Sequence, residues 1–106
     1  MARLNWTDQS VVDLTNIADF IAKDSVRYAK ITVLRFRTAA RQLKSFPLIG
    51  RKVPETGIDN IRELILGNYR IIYSIFSADR IDILTVHHSA KRLNVDELKK
   101  TFPAKA

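Results

Sequence analysis

Arg51, Lys52, Arg62, Arg70, His87, His88, Lys91 and Arg92 are the residues of this 106-residue chain whose types and spacing could do chemistry. A group of cations with a histidine suits two tasks. It can clamp phosphates, or it can cleave RNA, the cations stabilising charge on the transferring phosphoryl group while the imidazole acts as acid or base. Each residue also has a structural role open to it. Arg62 can pair with Glu55 or Glu63, Arg70 can pair with Glu63, and a histidine can cap a strand edge. Other chemistries lack their residues. The absence of cysteine excludes disulfides, thiolate catalysis and Cys-ligated zinc. His87 and His88 are the only histidines, and neighbours in a strand point to opposite faces, so neither a metal nor a cofactor is expected. No glycine-rich phosphate loop, catalytic triad or paired-carboxylate signature stands out.

The stretch that must position these groups is residues 60–93, read as three successive strands with two tight turns. The first is 62–66, the second 69–77 and the third 81–88. Gly67-Asn68 suits a two-residue hairpin, which sets Leu66 opposite Tyr69, Leu64 opposite Ile71 and Arg62 opposite Tyr73. One face then carries Leu64, Leu66, Ile71, Tyr73 and Ile75 and is expected to pack on helices. The other carries Glu63, Ile65, Arg70, Ile72 and Ser74 and is mixed, and the basic residues are expected to converge there. The turn at 78–80 leaves two registers. A two-residue loop sets His87 beside Arg70, and a three-residue loop sets His88 there. Leu84 and Val86 read as more buried than Thr85 and His87.

Upstream, Leu4 and Trp6 alternate with Arg3 and Asn5 in a short edge strand over 2–6. Thr7 or Asp8 can cap a helix over about 8–23, with Val11, Leu14, Ile17, Ala18 and Ile21 as its core stripe. Asp24 or Ser25 can cap a second helix reaching to about 45, with Val26, Ala29, Val33, Phe36, Ala40 and Leu43 facing the core. The short break makes the two an antiparallel hairpin. A second stripe on the later helix holds Arg27, Lys30, Arg37, Arg41 and Lys44, and no acid after Asp24 neutralises it. Residues 46–55 read as a connector whose Leu48, Ile49 and Val53 seal one end of the core. Asn94-Val95-Asp96-Glu97 resembles a capping box opening a short helix with Leu98, followed by a frayed tail from Thr101.

The length suits one domain over residues 1–106. No apolar run is long enough for a bilayer, and MARLNWTDQS lacks the apolar core of a signal peptide, so the expected address is the cytoplasm, with no membrane contact. The net charge of +7 points to a polyanionic partner, nucleic acid or an acidic protein.

Four pieces in this order, DLTNIADFIAKDSV, FPLIGRKVPE, IRELILGNYRIIY and IDILTVHHSAKRL, resemble the RelE/ParE superfamily of bacterial toxins from type II toxin–antitoxin modules, also called plasmid stabilisation proteins. The resemblance covers about residues 4–93. It implies an α+β fold: a short N-terminal strand, an antiparallel two-helix hairpin, a three-stranded antiparallel meander and a short C-terminal helix. It implies a growth-inhibiting toxin held by a cognate antitoxin in a hetero-oligomer. Two targets occur in the superfamily. ParE-like members poison DNA gyrase, and RelE-like members are ribosome-dependent mRNA endonucleases. VHHSAKR is closer to the V-x-H-x-x-R ending of ParE-like members, with His88 in the histidine place, and no tyrosine follows it as nucleases would have. The ParE-like reading is therefore favoured. On the RelE-like reading the chain is an enzyme, with Arg62, Arg70 and His88 as catalytic residues. On either reading Arg51, Lys52, His87, Lys91 and Arg92 are candidates for target or nucleic-acid contact, and Arg27, Lys30, Ile31, Leu34, Arg37 and Arg41 for antitoxin contact. A reading of another class is a non-toxic basic module that binds nucleic acid or an acidic protein.

Overall fold

Gly67 takes a φ of 58° at the tip of the central hairpin, a backbone that glycine reaches without a Cβ penalty. That turn joins two strands, β3 (Ile61–Leu66) and β4 (Tyr69–Ser77), in the register expected from the two-residue loop: Leu66 with Tyr69, Leu64 with Ile71, Arg62 with Tyr73. The computed structural model describes residues 1–91, 93–96 and 98. In chain order the remaining elements are β1 (Arg3–Trp6), α1 (Asp8–Ala22), α2 (Val26–Arg41), a 3₁₀ turn (Gln42–Lys44), β2 (Arg51–Lys52) and β5 (Arg80–His88). The sheet order is β1-β5-β4-β3-β2, antiparallel except that β1 runs parallel to β5.

Local chemistry explains the boundaries. Thr7 caps α1, its side-chain oxygen accepting from Ser10 N at 3.2 Å while its hydroxyl donates to Ile83 O at 2.7 Å. One residue therefore starts the helix and ties it to β5. Ser25 caps α2 by accepting from Tyr28 N at 3.1 Å. The second helix is shorter than its apolar spacing suggests. It gives way to the 3₁₀ turn after Arg41, ahead of Phe46-Pro47, where the proline disfavours helix at the residue before it. The connector contains a strand that its sequence hides. Arg51 and Lys52 pair with Glu63 and Arg62, a run too short to show period-two alternation.

The second turn is two residues, Ala78 and Asp79, since Ser77 pairs with Arg80. Two bulges follow, and their offsets cancel. Phe76 is unopposed on β4 and Leu84 on β5, so Tyr73 meets Ile83 but Ile72 meets Thr85, and His87 stands beside Arg70. Each bulge has its own support. The Arg80 guanidinium lies 4.4 Å from the centroid of the Phe76 ring. The Val86 N–H beside the second bulge donates to the Asp13 carboxylate of α1 at 3.1 Å, and the Thr85 hydroxyl donates to the same oxygen. Leu84 and Val86 are both buried, as expected, but on opposite sides of the sheet.

Two cores result. Phe36, Ala40 and Leu43 pack on Ile71, Tyr73, Ile81, Ile83 and Val86 between helices and sheet. On the far side Val53, Ile61, Ile72 and Leu84 are covered by Leu93 and Leu98, with Ile58 beside them. The mixed face is thus not an open basic platform: its apolar half is a second core. Two sets of assignments change, and the short helix expected after Asn94 is present over its described residues. Val11 and Val26, placed in the core stripes, are half or more exposed. Leu48 and Ile49 point outward, and only Val53 of that trio seals the core. Val95, Asp96 and Leu98 are helical, with Leu98 N donating to Asn94 O at 3.1 Å, whereas Glu97 of the capping box and the tail from Thr101 lie outside the described residues. Among the described residues, no helix is long and apolar enough to cross a membrane.

Candidate functional site

Arg70 is the cation the sheet positions most firmly, and it is spent on carboxylates of its own chain. Its side chain is only 9% exposed. Nη1 and Nη2 grip Glu55 bidentately at 2.8 and 2.9 Å, and Nε donates to Glu63. Glu63 is wholly buried and accepts from Arg51 Nε at 2.6 Å with its other oxygen. The result is a chain of alternating charge, Arg51–Glu63–Arg70–Glu55, joining β2, β3 and β4 to the connector. Paired and hydrogen bonded in this way, the groups do not carry uncompensated buried charge. The Arg70 hydrogen bond holds the Glu55 carboxyl below its ordinary value of 4.5, against a smaller push upward from burial. Glu55, then Glu63, push the Arg70 guanidinium still further from deprotonation. Of the pairings open to the sequence, Arg70–Glu63 forms. Arg62 pairs with neither Glu55 nor Glu63: its Nη1 donates to Gly50 O at 2.8 Å, and its Nε is buried without a hydrogen-bond partner.

The three residues a nuclease reading would call catalytic are not brought together. Arg62 is opposite Tyr73, whose side chain lies in the core under the helices, whereas Arg70 sits beyond Ile71 on the other face. His88 is opposite Tyr69 and meets its ring edge-on at 5.2 Å, again on the helix side. Tyr69 in turn meets Phe36 edge-on at 5.4 Å. Arg62 and His88 share a face, but their partners Tyr73 and Tyr69 are four residues apart on β4, roughly 13 Å along a strand. Hydrogen bonding further restricts the imidazoles. His88 Nδ1 accepts from Ala90 N at 3.1 Å, which leaves Nε2 as the protonated nitrogen of the neutral ring. His87 Nε2 lies 2.8 Å from Lys91 O, and a carbonyl only accepts, so Nε2 donates. Among the contact candidates, Arg51 and Lys52 are exposed but ion-paired, Lys52 to Asp59 at 3.2 Å. Lys91 is exposed, and Arg92 lies outside the described residues.

A different surface is better formed. Along the outside of the α1–α2 hairpin runs an apolar groove. One end is lined by Trp6, Val11 and Leu14, the other by Ala22, Val26, Lys30 and Leu34, and both share Ala18, Val33 and Arg37. Leu34 is 63% exposed at its rim. Arg27, Lys30, Ile31, Arg37 and Arg41 are also exposed on α2, and α2 carries no carboxylate. Of the residues the antitoxin reading singles out, Lys30, Leu34 and Arg37 therefore line one groove. Trp6, Val11, Val26 and Val33 join them, residues that spacing alone assigns to the core. The only signal for them is an excess: the helical hairpin has more apolar positions than one core face can take.

Comparison with known proteins shows the family to which these surfaces belong. Residues 4–93 match the family described as the ParE toxin of type II toxin–antitoxin systems, parDE. The chain belongs to the ParE toxin family. A curated relative, Toxin RelE2 of Caulobacter vibrioides, is 32% identical over 91 residues, covering 86% of this chain and 99% of the relative. Among solved structures, a chain of the chromosomal ParDE toxin–antitoxin system of P. aeruginosa superposes with a TM-score of 0.69 at 21% identity, covering 83% of this chain and 96% of that one. The fold is thus that of RelE/ParE toxins, and this ParE-family chain is the toxin of a type II module. Such a module implies a cognate antitoxin as partner, which displaces the reading as a non-toxic binding module.

Proposed function

We propose that this ParE-family toxin inhibits growth by poisoning DNA gyrase and does not cleave RNA. One observation carries the choice: Arg70, the arginine a nuclease would offer to phosphate, is buried between Glu55 and Glu63. A phosphate would have to displace two carboxylates to reach it, and Arg62 and His88 stand too far apart to complete a phosphoryl-transfer site with it. The antitoxin docks on the α1–α2 groove, with an apolar face against Ala18, Val33 and Leu34 and carboxylates toward Lys30 and Arg37. A mainly apolar groove bordered by Lys30 and Arg37, with Asp19 as its one carboxylate, suits an amphipathic segment with a net acidic polar face.

Two assays on one preparation test the target: supercoiling by gyrase, and cleavage of ribosome-bound mRNA. Supercoiling is expected to be inhibited and the mRNA to stay intact. Cleaved mRNA with unimpaired supercoiling would overturn the proposal in favour of the RelE-like activity.

A further inference from the structure

The connector between α2 and β2 presents Phe46, Leu48 and Ile49 to solvent at 63%, 67% and 53% exposure. Single exposed apolar side chains are ordinary, but three within four residues form a patch. The loop beneath them is held at both ends. The buried Tyr73 hydroxyl donates to Pro47 O at 2.7 Å and accepts from Gly50 N at 3.0 Å. Ile49 N donates to Phe46 O at 3.2 Å, and Arg62 Nη1 donates to Gly50 O. Gly50 is packed so closely that a Cβ would lie 2.5 Å from Glu63 O and 2.6 Å from the Tyr73 hydroxyl. A loop fixed this firmly could fold its apolar side chains inward or carry polar ones instead. It does neither, and its rigidity lowers the entropy cost of binding.

Charge indicates what covers the patch. Arg41, Lys44, Arg51 and Lys52 flank it in sequence, Lys52 being paired with Asp59, and residues 41–54 contain no carboxylate. Arg51 uses Nε on Glu63, yet its side chain stays 64% exposed. The patch lies on a different element from the α1–α2 groove, whose lining includes none of these residues. We propose that the 46–49 loop is the toxin's contact with its target, seating Phe46, Leu48 and Ile49 in an apolar pocket with an acidic rim on a protein surface. The inference rests on the reading that the target is gyrase, and it gives the toxin separate faces for target and antitoxin.

Purified wild-type chain, the double variant Phe46→Ser/Leu48→Ser and the milder Leu48→Ser are compared in gyrase supercoiling, in binding to the product of the adjacent antitoxin gene, and in thermal melting. The double variant is expected to need on the order of tenfold more protein for half-inhibition, since anchors in an apolar pocket dominate binding. Leu48→Ser should fall between it and wild type, with melting and antitoxin binding unchanged for both. Equal inhibition by all three chains overturns the loop as contact while leaving the gyrase reading intact. Loss of antitoxin binding in a variant that melts like wild type reassigns the loop to the antitoxin. No inhibition by the wild-type chain itself overturns the gyrase reading and, with it, the partner assigned to the loop.

Discussion

At the scale of single residues the decisive group is Arg70. Each of its three nitrogens donates to Glu55 or Glu63, so its removal leaves Glu63, a fully buried carboxylate, with Arg51 alone. Arg70→Ala is expected to destabilise the fold by about 1–3 kcal/mol, the cost of leaving a buried carboxylate short of one partner while Arg51 still pairs with it. Urea unfolding checks this, and a loss within error would mean the network contributes nothing. The same network has a pH signature. The Glu55 carboxyl is held below 4.5 in the folded state, so the unfolded chain takes up its proton first as the solution is acidified. Its contribution is fully present above 4.5 and disappears as the pH falls through the depressed folded value. Glu55→Gln should therefore flatten the acid limb of the stability–pH curve. An identical limb in the variant would show that Glu55 is not the group being titrated. Neither effect requires Arg70 to touch a substrate, which separates its structural role from a catalytic one.

At the scale of elements, the helical hairpin and the sheet divide the work. The sheet supplies rigidity: β4 is paired on both sides, and the Phe76 and Leu84 bulges bend it without shifting its final register. The hairpin supplies the groove proposed for the antitoxin. Leu34→Glu places a charge at the rim of that groove without touching either core, and is expected to weaken antitoxin binding by roughly tenfold, since a charge there would have to be desolvated against an apolar face, while the melting temperature stays put. Titration of the variant with the antitoxin decides it, and unchanged affinity would place the antitoxin elsewhere. Much of this level was legible beforehand. Gly67-Asn68 set the first hairpin and its register because two residues of local turn chemistry suffice. The bulges were not legible, because they answer to Arg80 and Asp13, groups that reach them through the sheet or from another element.

At the scale of the whole molecule, the charge of +7 is unevenly placed. α2 carries Arg27, Lys30, Arg35, Arg37 and Arg41 with no acid, while Asp8, Asp13, Asp19 and Asp24 lie on or beside α1. On the proposed docking mode this asymmetry would attract an acidic antitoxin at long range, toward a groove whose lining is mainly apolar. The complex is therefore expected to form faster at low salt and yet to survive at roughly 1 M salt, where the screening length is about 3 Å and only short-range burial persists. Size-exclusion chromatography across a salt series measures this. Dissociation well below that concentration would mean the basic stripe, not the groove, carries the affinity.

By itself the sequence determined the order and kind of the main elements, the first hairpin register, the absence of thiol chemistry and the family. These depend on periodicity, turn residues and composition, which act over a few positions at a time. It also placed Arg70 within reach of Glu63. Only the tertiary structure decided that Glu55 closes on Arg70, that Arg62 turns to Gly50, and that His87 and not His88 stands beside Arg70. It alone turned the mixed sheet face into a second core and left Val26, Leu48 and Ile49 outside. The reason is physical. Which carboxylate meets a given arginine, and which of several apolar residues finds room in a core, depends on groups brought together from distant parts of the chain, and no local spacing encodes that meeting.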